Sequence, residues 1–282
     1  MSVIILRRRK LGATSCREIS AKSETGIKVV RNDKVIPADA DMVIRWGCTS
    51  NTGIRNTINT AASIHEVNDK AGFRMKMDEH DLCPPTWIDI DDFQMHGHPY
   101  PLIVRKSRHA QGRGLYVAED FGQLQALTRQ LGKGNYYFSP LINKVAEYRV
   151  FVVQGRAVAV AQKTPGNPED IAWNVARGGR FDNVRWDNWP LKAVKVAIAA
   201  FNLSTLDFGG VDVMVDGAGN AYVIEINSAP SLTSDYRQSC MAKAFDWIIR
   251  HGKKRIPLIE ERGGYRKFIH PAITDKAIVV GA

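Results

Sequence analysis

The sequence predicts an α/β chain built of α+β units, and three observations predict it. Short apolar runs bounded by Gly, Pro and polar clusters recur along the chain and read as strands. Segments with helical apolar spacing alternate with those runs throughout. Two stretches, 148–163 and 209–230, read as strand–turn–strand hairpins. A length of 282 residues is enough for one or two domains with a large core, and 44% hydrophobic with 24% charged residues is ordinary for a soluble globular protein.

Residues 1 to about 58 read as strands and loops, with "DMVIRWG" (41–47) the clearest apolar strand. From Asn59 the spacing of Ala62, Ile64, Val67, Ala71, Phe73 and Met77 predicts one helix. "CPPTW" (83–87) stops it, because proline lacks an amide donor and restricts the residue before it. This is the expected boundary between residues 1–82 and a second domain, 83–250. There "YPLIVRKS" (100–107) is a strand, "RHAQGRG" a glycine-bearing loop, "LYVAED" a strand and "FGQLQALTRQL" a helix. "YYFSPLI" precedes "YRVFVVQGRAVAVAQK" (148–163), a hairpin turning at Gln154-Gly155. A polar loop with Pro165, Gly166, Asn167 and Pro168 leads to "WNVARGGRF". "LKAVKVAIAAFNL" (191–203) is an amphipathic helix, followed by the second hairpin. Residues 251–282 are basic and weakly patterned, compatible with a helix and an ordered tail.

The net charge of +10 favours an anionic partner, whether nucleotide phosphates, an acidic substrate or nucleic acid. The cluster Arg7-Arg8-Arg9-Lys10 is a candidate nucleic-acid patch, although a charge run is more often a solvated face. Cys16, Cys48, Cys83 and Cys240 lack CxxC or Cys/His spacing, so neither a disulfide framework nor a zinc site is expected. A reducing, cytoplasmic setting fits that usage. "MSVIILRRRK" has its few apolar residues before its charges, the wrong order and length for a secretory signal. No apolar run approaches membrane-spanning length, so no membrane partner is expected.

The second hairpin, "GGVDVMVDGAGNAYVIEINSAP", carries three polar residues in apolar strands. Closure of its turn by Asp216 and Ala221 puts Asp212 directly opposite Glu225. Strict alternation places Glu225 and Asn227 on one face, with Met214 and Val223 as neighbours. Opposed β-carbons lie about 4.5–5.5 Å apart, where like charges destabilise a sheet. Two carboxylates and an amide oxygen are hard ligands that suit Mg²⁺, which commonly takes one or two protein carboxylates. Two other answers remain: pairing with Lys or Arg from a covering segment, or one proton shared between the acids.

"IVRKSRHAQGRG" leaves its strand with Arg105 and Lys106, then crosses Gly112 and Gly114. Glycines let backbone N–H groups approach phosphates, and the cations neutralise them. The loop is neither a Walker A sequence nor GxGxxG, and a surface turn explains it equally well.

Taken in order, these stretches resemble the ATP-grasp superfamily, and most closely its RimK-type, glutathione synthetase-like amino-acid ligases. "VIEINSAPSL" resembles the family's metal-binding strand and following loop, and "GVDVMVD" the strand carrying the first metal carboxylate. "EYRVFVVQGRAVAVAQK" resembles the hairpin with an acidic-x-Arg start, and "WNVARGG" the Asn-x-x-x-Gly-Gly loop. "INTAASIHEVNDK" followed by "CPPTW" resembles the approach to the ATP-binding module. The order holds from about Asn59 to Ser234, over half of the chain.

The resemblance implies an ATP-grasp fold. It comprises a small N-terminal α/β pre-domain (1–82), two α+β subdomains (about 83–135 and 136–250) with nucleotide between them, and the basic segment 251–282. It implies an ADP-forming carboxylate–amine ligase in which ATP phosphorylates a carboxylate and an amine attacks the acyl phosphate. Asp212, Glu225 and Asn227 would hold Mg²⁺, with Mn²⁺ as the alternative metal. Arg105 falls where the family places a phosphate-binding lysine, with Lys106 beside it, and Lys70 falls at an earlier lysine. Glu147 would bind the ribose hydroxyls, and the backbone at Leu141 and Ile142 the adenine edge. Gly112 and Gly114 would border the phosphates, while Arg149, Lys163 and Asn174 would face phosphate and acyl-phosphate oxygens.

Three positions depart from the family pattern: Arg105 replaces a lysine, Pro140 a common hinge glutamate, and Trp173 a small polar residue before Asn174. The residue types suit the chemistry, since phosphoryl transfer needs positioning and charge neutralisation more than a protein nucleophile. The donor carboxylate and acceptor amine are unnamed by the sequence, because such loops vary with substrate. The alternative expectation is a nucleic-acid-associated ATP-binding protein, or a ligase acting on a nucleic acid or basic macromolecule.

Overall fold

The computed structural model describes residues 1–10, 12–107, 114–167, 169–173, 178–185 and 188–253. Strands β1 (Ser2–Arg7), β2 (Lys28–Arg31), β3 (Ala40–Trp46) and β4 (Thr57–Ile58) form a parallel sheet in the order β2-β1-β3-β4. The near-continuous apolar run in β1 fits a strand covered on both faces, and Val3 to Leu6 are all buried. Helix α1 (Ala13–Lys22) follows β1 and packs on this sheet.

The helix expected from Asn59 is two helices, α2 (Ala61–Asn68) and α3 (Lys70–Asp78). Asp69 divides them: it ends α2, and its carboxylate accepts the Gly72 N–H at 3.2 Å as the N-cap of α3. A capping side chain there outcompetes continuation of the helix. Short helix α4 (Ile90–His96) then precedes β5 (Leu102–Lys106), β6 (Leu115–Ala118), helix α5 (Phe121–Leu131) and β7 (Tyr136–Pro140). Strands β6-β5-β7 form an antiparallel sheet on a core of Trp87, Phe93, Leu102, Val104, Leu124 and Phe138. Because β7 pairs with β5, this sheet runs to Pro140.

The large sheet has the order β10-β9-β8-β11-β12, every pairing antiparallel. Its strands are β8 (Lys144–Val153), β9 (Arg156–Thr164), β10 (Arg180–Asn183), β11 (Phe208–Asp216) and β12 (Ala221–Asn227). The first hairpin turns at Gln154-Gly155, with φ of 49° and 70°, as a two-residue primed turn requires. Helix α6 (Leu191–Leu203) coincides with the predicted segment and covers one face together with α2 and α3. Helix α7 (Asp235–His251), which sequence pattern did not predict, covers part of the other face with the parallel sheet behind it.

That second face changes character along its length. Near one end it presents Phe151, Val153, Ala159, Ala161 and Phe208 to α7 and Trp46. Further along the same alternating positions it presents Arg149, Glu147, Lys163 and Asp212. Period-two alternation therefore carries one face from core into a charged floor.

The predicted register holds where it matters and slips near the turn. Asp212 pairs with Glu225, Val211 with Ile226 and Gly210 with Asn227, but Val213 pairs with Val223. Ile224 is the extra residue of a β-bulge. The bulge corrects the expected neighbour set: Val223 and Ile226 are buried under α6, whereas Glu225 is turned to the charged floor.

Candidate functional site

Four strands set the floor by direct cross-strand pairing: Glu147 opposite Lys163, Asp212 opposite Arg149, and Asp212 opposite Glu225. Asp212 is 2% exposed and accepts Arg149 Nε–H and Nη2–H at 2.6 and 2.7 Å, with Lys163 Nζ at 2.9 Å. Burial alone pushes its carboxyl up, but Arg149 and Lys163 outweigh that and hold it well below the usual carboxylate range. Burial likewise works against the Lys163 and Arg149 charges, and the neighbouring carboxylates raise both above their ordinary values.

Glu147 is also buried, accepting from Lys163 and from Lys144 Nζ, the latter at 2.5 Å. Lys144 has its ammonium 4.6 Å from the centre of the Trp173 ring. Burial, with Lys163 and Arg105 nearby, holds Lys144 below its ordinary value despite Glu147. Phe181 on β10 lies under Arg149 and Lys163, at 4.7 and 5.6 Å from its ring centre. Glycine at 210 is a close-approach residue: a β-carbon there would meet Pro230 at 2.8 Å and Arg149 Cδ at 3.3 Å.

Glu225 is neutralised from another direction. Lys70 on α3 reaches its Oε2 at 2.6 Å, and Asn227 Nδ2–H donates to Oε1 at 3.1 Å. Burial raises this carboxyl, and Lys70 more than offsets it. Both acids of the opposed pair are thus held ionised by their own cations, which removes the shared-proton alternative and displays the cation-paired one.

Arg105 and Lys106 lie at the end of β5. The Arg105 Nε is buried without a hydrogen-bond partner among the described residues. Lys106 is exposed, its N–H bonded to Gly114 O at 3.0 Å and its stem against Gly114, whose φ is 70°. Leu141 N–H is committed to Pro101 O at 3.0 Å. Gly112 and Asn174 lie outside the described residues. The structure therefore brings together Lys70, Glu147, Arg149, Lys163, Asp212, Glu225 and Asn227, with Arg105 near Lys144 on one flank.

Lys144 and Phe181 join the site without having been expected. No spacing rule marks a lysine at a strand start or an aromatic after a polar loop. Arg237, 2% exposed on α7, was missed too; it donates to Asn183 Oδ1 at 2.5 Å and to Thr233 Oγ1 at 2.9 Å.

Among the described residues no three His, Cys, Asp or Glu side chains are grouped as a metal site. The oxygen set of two carboxylates and one amide nonetheless fits a hard divalent cation completed by phosphate and water. Four cations (Lys70, Lys144, Arg149 and Lys163) pair with three carboxylates, Arg105 lies near Lys144, and its Nε has no hydrogen-bond partner among the described residues. That surplus fits a polyphosphate anion. The four cysteines are free and buried, and burial pushes the Cys16 thiol up to about 12, which leaves no poised thiolate there. No helix among the described residues is long and apolar enough to cross a membrane.

Residues 87–248, more than half of the chain, match the family model described as RimK-like ATP-grasp domain. No curated protein matches the chain by sequence. Among solved structures, D-alanine–D-alanine ligase from Bacillus anthracis, complexed with ATP, is 15% identical, with 89% of this chain and 96% of that chain covered and a TM-score of 0.63. A RiPP-associated ATP-grasp ligase from Chryseobacterium gregarium, in complex with ADP and a leader and core peptide, is 12% identical over 91% and 100%, TM-score 0.61. A RimK domain ATP-grasp protein from Sphaerobacter thermophilus is 16% identical over 87% and 98%, TM-score 0.59. At such identities the likeness to these structures is one of fold.

Proposed function

The chain belongs to the RimK-like ATP-grasp family, and from that premise we propose that it is an ATP-dependent, ADP-forming carboxylate–amine ligase working through an acyl phosphate. The observation that carries this reading is the charged floor, where Asp212 and Glu225 oppose each other within a surplus of Lys and Arg. Asp212, Glu225 and Asn227 are the residues to hold Mg²⁺, with Mn²⁺ as a substitute for the same oxygen donors. When bound, the metal supplies charge neutralisation and a template for phosphate oxygens.

The chain's own groups do the rest. Arg105, Lys106, Gly112, Gly114 and Lys70 are assigned to the phosphates, a reading supported by the unsatisfied Arg105 Nε. Glu147 is assigned to the ribose hydroxyls; each of its oxygens accepts one lysine ammonium and keeps a second lone pair for a hydroxyl. Since Leu141 N–H is taken by Pro101, the amide donor to the adenine edge falls to Ile142. Arg149 and Lys163, both paired with Asp212, are the groups to meet charge developing on carboxylate and phosphate oxygens, a role also assigned to Asn174.

An amino acid or peptide is the proposed acceptor class. The ligase described with D-alanine and the one bound to a leader and core peptide support it. The domain division is proposed as 1–82 and 83–250, with the subdomain border at 141–143, between the two sheets. A cytosolic location is proposed from the four free thiols. The nucleic-acid alternative gains no support: Arg7 folds its Nη1 back onto the Arg8 and Arg9 carbonyls.

The test is incubation with ATP, Mg²⁺ and pools of carboxylates, amino acids and peptides, with ADP and phosphate release as readout. The reading fails if no pool gives turnover and Glu225→Ala leaves nucleotide binding unchanged.

A further inference from the structure

Arg74 is 2% exposed on α3, four residues after Lys70 and so on the same helix face. Its guanidinium makes no ion pair among the described residues. Instead Nη1 donates to Val223 O at 3.3 Å and to Ile224 O at 3.2 Å, Nη2 to Pro84 O at 3.5 Å, and Nε to Thr86 Oγ1 at 3.3 Å. Its carbon centre also stands 5.9 Å from the Tyr137 ring on β7. Its carboxylate partner, Asp78, acts on it without a contact ion pair among the described residues, and a guanidinium buried in this way is costly, so its place calls for a reason.

The reason lies in the bulge. Successive carbonyls of a regular strand point to opposite edges, whereas one Arg74 nitrogen collects the carbonyls of two successive residues, Val223 and Ile224. Those residues flank the register slip in β12. Without the extra residue, alternation from Val223 would turn Glu225 under α6, into the apolar core. Lys70, one turn earlier, then meets Glu225 on the charged floor.

We propose that Arg74 is a positioning residue: it clamps the Val223–Ile224 bulge and thereby aims Glu225 at the metal of the nucleotide site. The proposal rests on the reading of Glu225 as a metal ligand. It gives that ligand's geometry an origin in the helix before the ATP-grasp sheets. The planar, multi-donor guanidinium is suited to two carbonyls at once, and a lysine ammonium is not its equivalent.

The test is calorimetric ATP binding by the full chain, with Mg²⁺ and with EDTA, for wild type, Arg74→Lys, Arg74→Gln and Thr86→Val. Arg74→Lys and Arg74→Gln are expected to lose at least tenfold of the Mg²⁺-dependent gain in ATP affinity, with affinity in EDTA changing less than twofold. Lys should recover more of the gain than Gln. Thr86→Val removes the Nε acceptor but spares the bulge contacts, so it should lower the melting temperature and keep the gain. An unchanged gain in both Arg74 variants overturns the proposal, as does an equal loss with and without Mg²⁺ or a matching loss in Thr86→Val. If both Arg74 variants fail to fold while Thr86→Val folds, Arg74 is a stability residue and the proposal falls. A wild type with no Mg²⁺-dependent gain instead removes the reading of Glu225 itself.

Discussion

Asp212 and Glu225 face each other across the β11–β12 ladder, yet each draws its counter-charge from a different element. Arg149 on β8 and Lys163 on β9 serve Asp212, while Lys70 on α3 serves Glu225. Two like charges at a cross-strand position are tolerable only because cations sit on either side.

Removing one partner of the buried pair should therefore be costly. Arg149→Met is expected to destabilise the fold by about 3–5 kcal/mol, since Asp212 keeps only Lys163. Arg149→Met combined with Asp212→Asn should recover most of that loss, because the uncompensated charge goes too. Urea denaturation measures the cycle. Strict additivity would contradict the pairing. Activity should be lost in both.

Lys70→Met leaves Glu225 with Asn227 alone. The pair is partly exposed, so stability should fall by only about 1 kcal/mol. Nucleotide affinity should fall further, by tenfold or more, because Lys70 is assigned to phosphate. Calorimetry against thermal melting separates the two effects.

The pH dependence follows from the depressed carboxyls. Asp212 and Glu225 titrate lower folded than unfolded, so as pH falls the unfolded chain takes up their protons first. Their contribution is complete above the ordinary carboxylate values and is lost as pH falls from about 5 toward the folded values. Melting temperature should drop over that acid range. Arg149→Met with Asp212→Asn should flatten the slope.

Asn59 tests how the parallel sheet is attached. It is fully buried at φ 59°; its Oδ1 accepts from Asp207 N and Phe208 N, its Nδ2 donates to Phe208 O, and its N–H donates to Asp207 Oδ2. Asn59→Ala should cost about 2–4 kcal/mol, from strained backbone and unsatisfied amides. Asn59→Gly should cost less, relieving only the backbone part.

The elements legible in the sequence are those whose pattern is local. The hairpin at Gln154-Gly155, helix α6 and the Asp212–Glu225 pairing all follow from alternation, helical spacing and turn length. What escaped depends on distant contacts. The Ile224 bulge is stabilised by Arg74 from α3, about 150 positions away. Lys144 matters because the fold lays it over Trp173 and against Glu147. Helix α7 escaped because buried polar residues, Arg237, Gln238 and Asp246, interrupt its apolar face. The split at Asp69 was readable as a cap signal, but the apolar spacing across it masked it.

The central claim is that this charged floor activates a carboxylate with ATP. The direct measurement uses a substrate pool carrying ¹⁸O in its carboxylates, with mass spectrometry of the phosphate released alongside ADP. Acyl-phosphate chemistry predicts one ¹⁸O transferred to each phosphate, and loss of that product in Asp212→Asn and Glu225→Gln. Phosphate released with ADP but without ¹⁸O, or AMP with pyrophosphate, would contradict it.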